Sequence, residues 1–106
     1  IVIIAPCSGN TIGKLAGGIC DTPVLACVKE SLKKGKNVVI GIATNDGLST
    51  SAENIGKLLN RKNYYFVPFR QDNPITKPNS LRMEDRYIKD TLQKSLEGEQ
   101  IQPLLL

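Results

Sequence analysis

The chain has no histidine, no tryptophan and only three cysteines among its 106 residues. Without histidine, no Ser-His-Asp or Cys-His nucleophile can be assembled within it. Cys7, Cys20 and Cys27 lack the spacing of a zinc site, so no metal is expected. An odd count without close pairing argues against a disulfide framework and for a reducing, cytoplasmic compartment. No apolar run approaches the roughly 20 residues of a membrane span. Nor does a basic segment lead into an apolar one as in a signal peptide. Aromatic residues make up 5% of the chain and sit mostly between Tyr64 and Phe69. The net charge of +4 is therefore not interleaved with aromatics as in nucleic-acid binders. Lys33, Lys34, Lys36, Arg61 and Lys62 read as solvated surface, with an anionic ligand or partner as the alternative.

What is present is 41% hydrophobic residues, enough for one domain with a modest core. Ile1–Ala5 is a β-branched run of the kind found in buried parallel strands. It enters a small polar turn, Pro6-Cys7-Ser8-Gly9-Asn10-Thr11, at which a short helix begins near Asn10 or Thr11 and ends at Gly17-Gly18. A second helix is capped by Asp21 or Thr22, with Pro23 in its first turn and Val24, Leu25, Val28 and Leu32 on one face. Lys33 and Lys34 suit its last turn and Gly35 its stop. Cys20 and Cys27 read as small core residues, whereas Cys7 lies where it could touch a ligand.

Val38–Ala43 is the second strand. The loop Thr44–Ser49 follows, then a helix with Thr50 and Glu53 as a capping box and Ile55, Leu58 and Leu59 as its apolar face. Tyr64–Phe69 is the third strand. Arg70–Ser80, with two prolines and no periodicity, reads as a functional loop. A last helix is expected from about Leu81 to Glu97, with Leu81, Ile88, Leu92 and Leu96 on one side. The closing leucines, Leu104-Leu105-Leu106, should pack on the sheet or on another copy of the chain.

Strands alternating with helices imply an α/β domain with a parallel sheet and right-handed crossovers. Three such strands make a thin sheet, and the expectation is an incomplete domain whose N-terminal half is absent. The turns after the first two strands lie on one edge of a parallel sheet, where α/β folds bind ligands. Ser8, Asn10 and Thr11 with the backbone at a helix start favour an anion or a polar planar ligand, or serve as helix caps alone. Asn45-Asp46-Gly47 is a second binding loop or an ordinary turn.

Pro6-Cys7-Ser8-Gly9-Asn10-Thr11 and the residues to Asp21 resemble the PASANT signature of the flavin-containing cysteine decarboxylase (flavoprotein) superfamily. Ile42–Ser49 lies where that group carries Pro-x-Met-Asn-x-x-Met-Trp. Of those motif residues only Asn45 matches, with Ile42, Thr44, Leu48 and Ser49 at the others. The departures point away from cysteine decarboxylation. Phe66–Pro74, Lys77–Ser80, Gly41–Asp46 and the ending Gln102–Leu105 resemble the family of dipicolinate synthase B subunits more closely, over its C-terminal half.

That resemblance implies a flavodoxin-like, Rossmann-like three-layer fold. It also implies a part in oxidising a dihydrodipicolinate or hydroxytetrahydrodipicolinate to the aromatic diacid in a sporulating bacterium. FMN would be contacted by Ser8, Asn10 and Thr11, while Asn45 would face the ring or a substrate carboxylate. Arg70 and Lys77 would clamp the dicarboxylate or serve only as surface charge. The dipicolinate synthase A subunit would be the partner and the holder of NAD(P), since no G-x-G-x-x-G follows a strand here. A homo-oligomer is implied as well. The other readings are a non-catalytic assembly protein without flavin and an FMN-dependent decarboxylase.

Overall fold

A computed structural model describes residues 1–106. The central strand of its sheet is β2 (Val38–Thr44), which the chain reaches after β1 (Val2–Cys7), α1 (Gly9–Gly17) and α2 (Pro23–Lys33). After it come α3 (Ala52–Leu59), β3 (Tyr64–Phe66), β4 (Phe69–Asn73), β5 (Lys77–Met83), a single 3-10 turn at Asp85–Tyr87, and α4 (Ile88–Leu96). β1 and β3 flank β2 in parallel, with Ile40 opposite both Ile4 and Phe66. Beyond the end of β3, Ala43 and Thr44 pair antiparallel with Arg82 and Leu81 of β5, and β4 pairs antiparallel with β5. The sheet is therefore mixed rather than purely parallel.

Alternation along β2 feeds two layers. Val38, Ile40 and Ile42 join Ile12, Leu15, Leu25, Val28, Ile55 and Leu58 of α1, α2 and α3 in one core. Val39, between them and equally buried, serves the opposite face, and α4 packs against β2 and β3. β1 is an edge strand here: Ile4 and Cys7 are buried while Ile1 and Ile3 stay exposed. Its ladder with β2 is irregular between Ile4 and Cys7, where Pro6 has no N–H to donate.

The helix starts follow the side chains available. Ser8 caps α1 by accepting from Thr11 N at 3.3 Å, so the helix begins slightly before the expected start. Thr22 caps α2 in the same way and Pro23 opens it. Gly18 and Gly35 follow α1 and α2 with positive φ, as predicted. The capping box at Thr50 and Glu53 does not form: α3 starts after Ser51, whose hydroxyl is used elsewhere. Arg61, expected as surface charge, reaches across to donate to Leu15 O at 3.0 Å and Ala16 O at 2.5 Å. It thereby gives the Ala16 carbonyl a partner and adds a second donor to Leu15 O, which already accepts from Gly18 N.

Four expectations fail in the last third and at the cysteines. Arg70–Ser80 is not a loop but most of a β-hairpin, turned at Asn73, whose Oδ1 accepts from Ile75 N and Thr76 N. Leu81 belongs to β5, and α4 starts at Ile88. The face that α4 buries carries Thr91 and Ser95, while Leu96 is 75% exposed. Thr91 Oγ1 donates to Tyr87 O and Ser95 Oγ to Leu92 O, so both hydroxyls enter the core already bonded. Cys20 and Cys27 are exposed, and Cys7 is the buried one, closing β1 rather than facing the turn's ligand side. The tail pairs with β4 through backbone (Phe69 N to Leu104 O and Leu106 N to Phe69 O, both 3.0 Å). Leu104 packs on the core while Leu105 and Leu106 remain exposed. The Gln100 side chain bonds both Phe66 N and Phe66 O, taking the place of a neighbouring strand along β3.

Candidate functional site

Three connections meet at the carboxyl ends of β1 and β2: the β1–α1 turn, the β2–α3 loop and the β4–β5 hairpin. Ser8, Gly9, Asn10, Ala43, Thr44, Asn45 and Asp46 line one cavity of about 320 Å³. Asn45, Lys77, Pro78, Asn79 and Ser80 line a second of about 470 Å³. Asn45 lines both, so the two cavities, together called the groove, adjoin at that residue. Each volume suits part of a cofactor-sized ligand. The lining is polar throughout apart from Ala43 and Pro78.

The β2–α3 loop is held by its own side chains. Asp46 Oδ1 accepts from Thr44 Oγ1 at 2.5 Å and from Ser51 Oγ at 2.8 Å. Asp46 O accepts from Ser49 N and Ser51 N, both at 3.0 Å. These bonds fix the backbone on both sides of Asn45. The donated bonds from Thr44, then Ser51, hold the Asp46 carboxyl below the usual carboxylate range, ahead of an opposing desolvation effect. α1 comes close to this cluster through Gly9. A Cβ there would lie 2.7 Å from Thr44 Oγ1 and 2.8 Å from both Asp46 Oδ1 and Ser51 Oγ. Only glycine lets the two loops approach so closely.

The hairpin is fastened to the same loop. Leu48 N donates to Asn79 O at 3.0 Å, and a Cβ at Gly47 would meet the Leu81 side chain at 2.5 Å. Gly47 has no positive φ. It is needed for space, not for the turn geometry that an Asp-Gly pair first suggests.

Of the residues singled out from the sequence, Ser8, Asn10, Asn45 and Lys77 line the groove. Thr11 stands behind it, bonded to Ser8 through its N–H and hydroxyl. Arg70 does not join them. It pairs with Glu84 and lines a separate cavity with Arg82, Met83, Asp85 and Arg86. Asp46, which the sequence leaves between a binding loop and an ordinary turn, lines the groove as well. Asn79 and Ser80 were missed, hidden by the loop reading of the hairpin. Cys7 takes no part: burial pushes its thiol up to about 12, far from a reactive thiolate.

Comparison with known proteins sets this groove in a family. The model of the flavoprotein family matches residues 1–91. The chain belongs to the flavoprotein family. Within it, the chain is similar to the B subunit of dipicolinate synthase from Bacillus subtilis (strain 168), 40% identical over 105 residues. That alignment takes in 99% of this chain and 52% of the relative. The crystal structure of the dipicolinate synthase B subunit from Bacillus halodurans C matches with a TM-score of 0.96 at 46% identity, over 98% of this chain and 53% of that one. Phosphopantothenoylcysteine decarboxylase of Arabidopsis thaliana is 40% identical over only 45 residues, 42% of this chain and 21% of the relative. This flavoprotein chain thus spans about half the length of the relatives it matches along its whole extent. The mixed sheet flanked by helices is consistent with a flavodoxin-like fold.

Proposed function

We propose that this chain is part of a dipicolinate synthase B subunit. In this reading it acts with the A subunit in oxidising a dihydrodipicolinate to dipicolinate in the cytoplasm of the mother cell during sporulation. The supporting observation is the groove itself: one junction residue, Asn45, lines both the cavity at the helix-start turn and the cavity at the hairpin bearing Lys77. The two relatives that match nearly the whole chain carry that name.

The residues present fit the polar part of FMN. The groove offers hydroxyl, amide and carboxylate groups along one side, and Gly9 keeps α1 close enough to form its wall. A flavin, when bound, supplies two-electron redox chemistry. Ser8 and Asn10 would hold its polar edge, with Thr11 fixing the Ser8 rotamer. Lys77 neutralises a substrate carboxylate that Asn45 orients by hydrogen bonding. Oxidation would remove a hydride and a proton from the dihydropyridine ring, and a nicotinamide on the A subunit would be the group able to take up the hydride. Arg70, tied to Glu84 in the other cavity, is left out of the substrate set.

A second reading is an assembly protein that keeps the fold without flavin. It is favoured by Thr44, Leu48 and Ser49 in the second motif and by the lack of an apolar wall for a ring system in this groove. A homo-oligomer would supply such a wall from a neighbouring copy. Purified full-length protein separates the two readings. The first expects flavin absorption bands retained after desalting, or restored by adding FMN. A colourless protein that cannot be reconstituted leaves the second.

A further inference from the structure

The groove is electrically divided. At the Lys77 end the nearest acid is Asp72, 3.9 Å from Nζ, and the other lining groups are neutral amides and a hydroxyl. At the other end stands Asp46. Its Oδ1 accepts from two hydroxyls, no other residue donates to Oδ2, and no lysine or arginine pairs with the carboxylate. Holding the loop needs one acceptor oxygen. The second oxygen, on a residue lining the cavity beside Ser8 and Asn10, is surplus to that role.

An ionised carboxylate repels an anion and accepts a hydrogen bond from a donor. The helix start alone would attract an anion. Asp46, lining the same cavity, opposes that attraction. We propose that Asp46 Oδ2 accepts a hydrogen bond from a neutral, donor-bearing part of the ligand at the Ser8–Asn10 turn, and that carboxylate groups are directed to the Lys77 end. The inference rests on the flavin and dicarboxylate reading of the groove. It adds an orientation: the ribityl hydroxyls or the ring N–H of the flavin lie at Asp46, its phosphate lies elsewhere, and the substrate diacid lies toward the hairpin.

The test uses full-length protein and quenching of flavin fluorescence, with FMN and riboflavin as probes and dipicolinate as the diacid. Asp46→Asn keeps an amide oxygen for Thr44 and Ser51 but turns the free acceptor into a donor. It is expected to weaken FMN and riboflavin equally, by tenfold or more, with a cooperative melting transition that is lowered but stays above the assay temperature. Lys77→Gln is expected to weaken dipicolinate by a similar factor and leave FMN unchanged. Ser51→Ala removes a donor to Oδ1 without touching Oδ2 and is expected to retain flavin affinity. Undiminished or tighter FMN binding by Asp46→Asn overturns the inference, and so does an equal loss in Ser51→Ala, which would make the effect one of loop position. No quenching by wild type removes the flavin reading itself, and the inference with it.

Discussion

Replacing Gly9 by alanine probes how the groove's two inner walls are joined. The new methyl would sit 2.7–2.8 Å from three oxygens, whereas ordinary contact begins at 3.4 Å. Those oxygens bond to one another, so none can retreat without lengthening a bond to the Asp46 carboxylate. Overpacking of this kind costs about 1–3 kcal/mol. A strained hydrogen bond to a charged group adds part of its roughly 1.5–3 kcal/mol. Alanine's better helix propensity at the first position of α1 returns less than about 1 kcal/mol. The net expectation is a loss of about 2 kcal/mol, which for a slope near 1.5 kcal/mol per molar lowers the urea midpoint by about 1.3 M. Gly56→Ala is the matched control. It lies within α3, and a Cβ there meets nothing within 4 Å. The same chemical change should therefore stabilise the chain by about 0.5–1 kcal/mol. Equal midpoints for the two variants, or a Gly9→Ala midpoint at the wild-type value, would refute the reasoning that Gly9 is retained for space.

Gly47→Ala should pry the hairpin from the β2–α3 loop, since its Cβ would strike the buried Leu81 side chain. A loss of about 1–3 kcal/mol is expected, along with faster amide exchange at Leu48, whose N–H bonds to Asn79. Thiol labelling at pH 8 should show two fast cysteines, Cys20 and Cys27, and one that reacts only on unfolding, Cys7. A third fast thiol would place Cys7 at the surface. Because the Cys7 thiol is pushed up from 9.0 to about 12 in the fold, the unfolded chain releases that proton first as pH rises. The Cys7 contribution to stability is thus fully present below pH 9 and lost between there and about 12. Cys7→Ser, measured by denaturation across that range, should remove this component of the alkaline decline.

The first two-thirds of the fold was legible because its signals are local. A β-branched run, a Ser or Thr cap, a proline in the first turn and a glycine stop each act within a few residues, as at Thr22, Pro23 and Gly35. The hairpin was not legible because its strands bury little. Phe69-Arg70-Gln71-Asp72-Asn73 shows no alternation, Pro78 interrupts β5, and the pairing is secured by Leu81 and Arg82 against β2, a contact made nearly 40 positions away in sequence. α4 was misplaced because Thr91 and Ser95 face the sheet with their hydroxyls bonded to their own helix, which a hydrophobic period cannot register. Of the site, Ser8, Asn10 and Asn45 stood out in the turns that follow buried strands. Arg70 and Lys77 were indistinguishable as charges on one segment. Only the cross-strand geometry of the hairpin sends Lys77 toward Asn45 and Arg70 toward Glu84.

The central claim is that Asn45 is the junction at which cofactor and substrate meet. Dipicolinate formation by full-length protein with Asn45→Ala, reconstituted with a dipicolinate synthase A subunit, tests it most directly. Asn45 is exposed and makes no side-chain bond within the chain, so the variant should fold as wild type does. Turnover is expected to fall by at least a hundredfold with the melting temperature unchanged. Wild-type turnover in that variant would contradict the account.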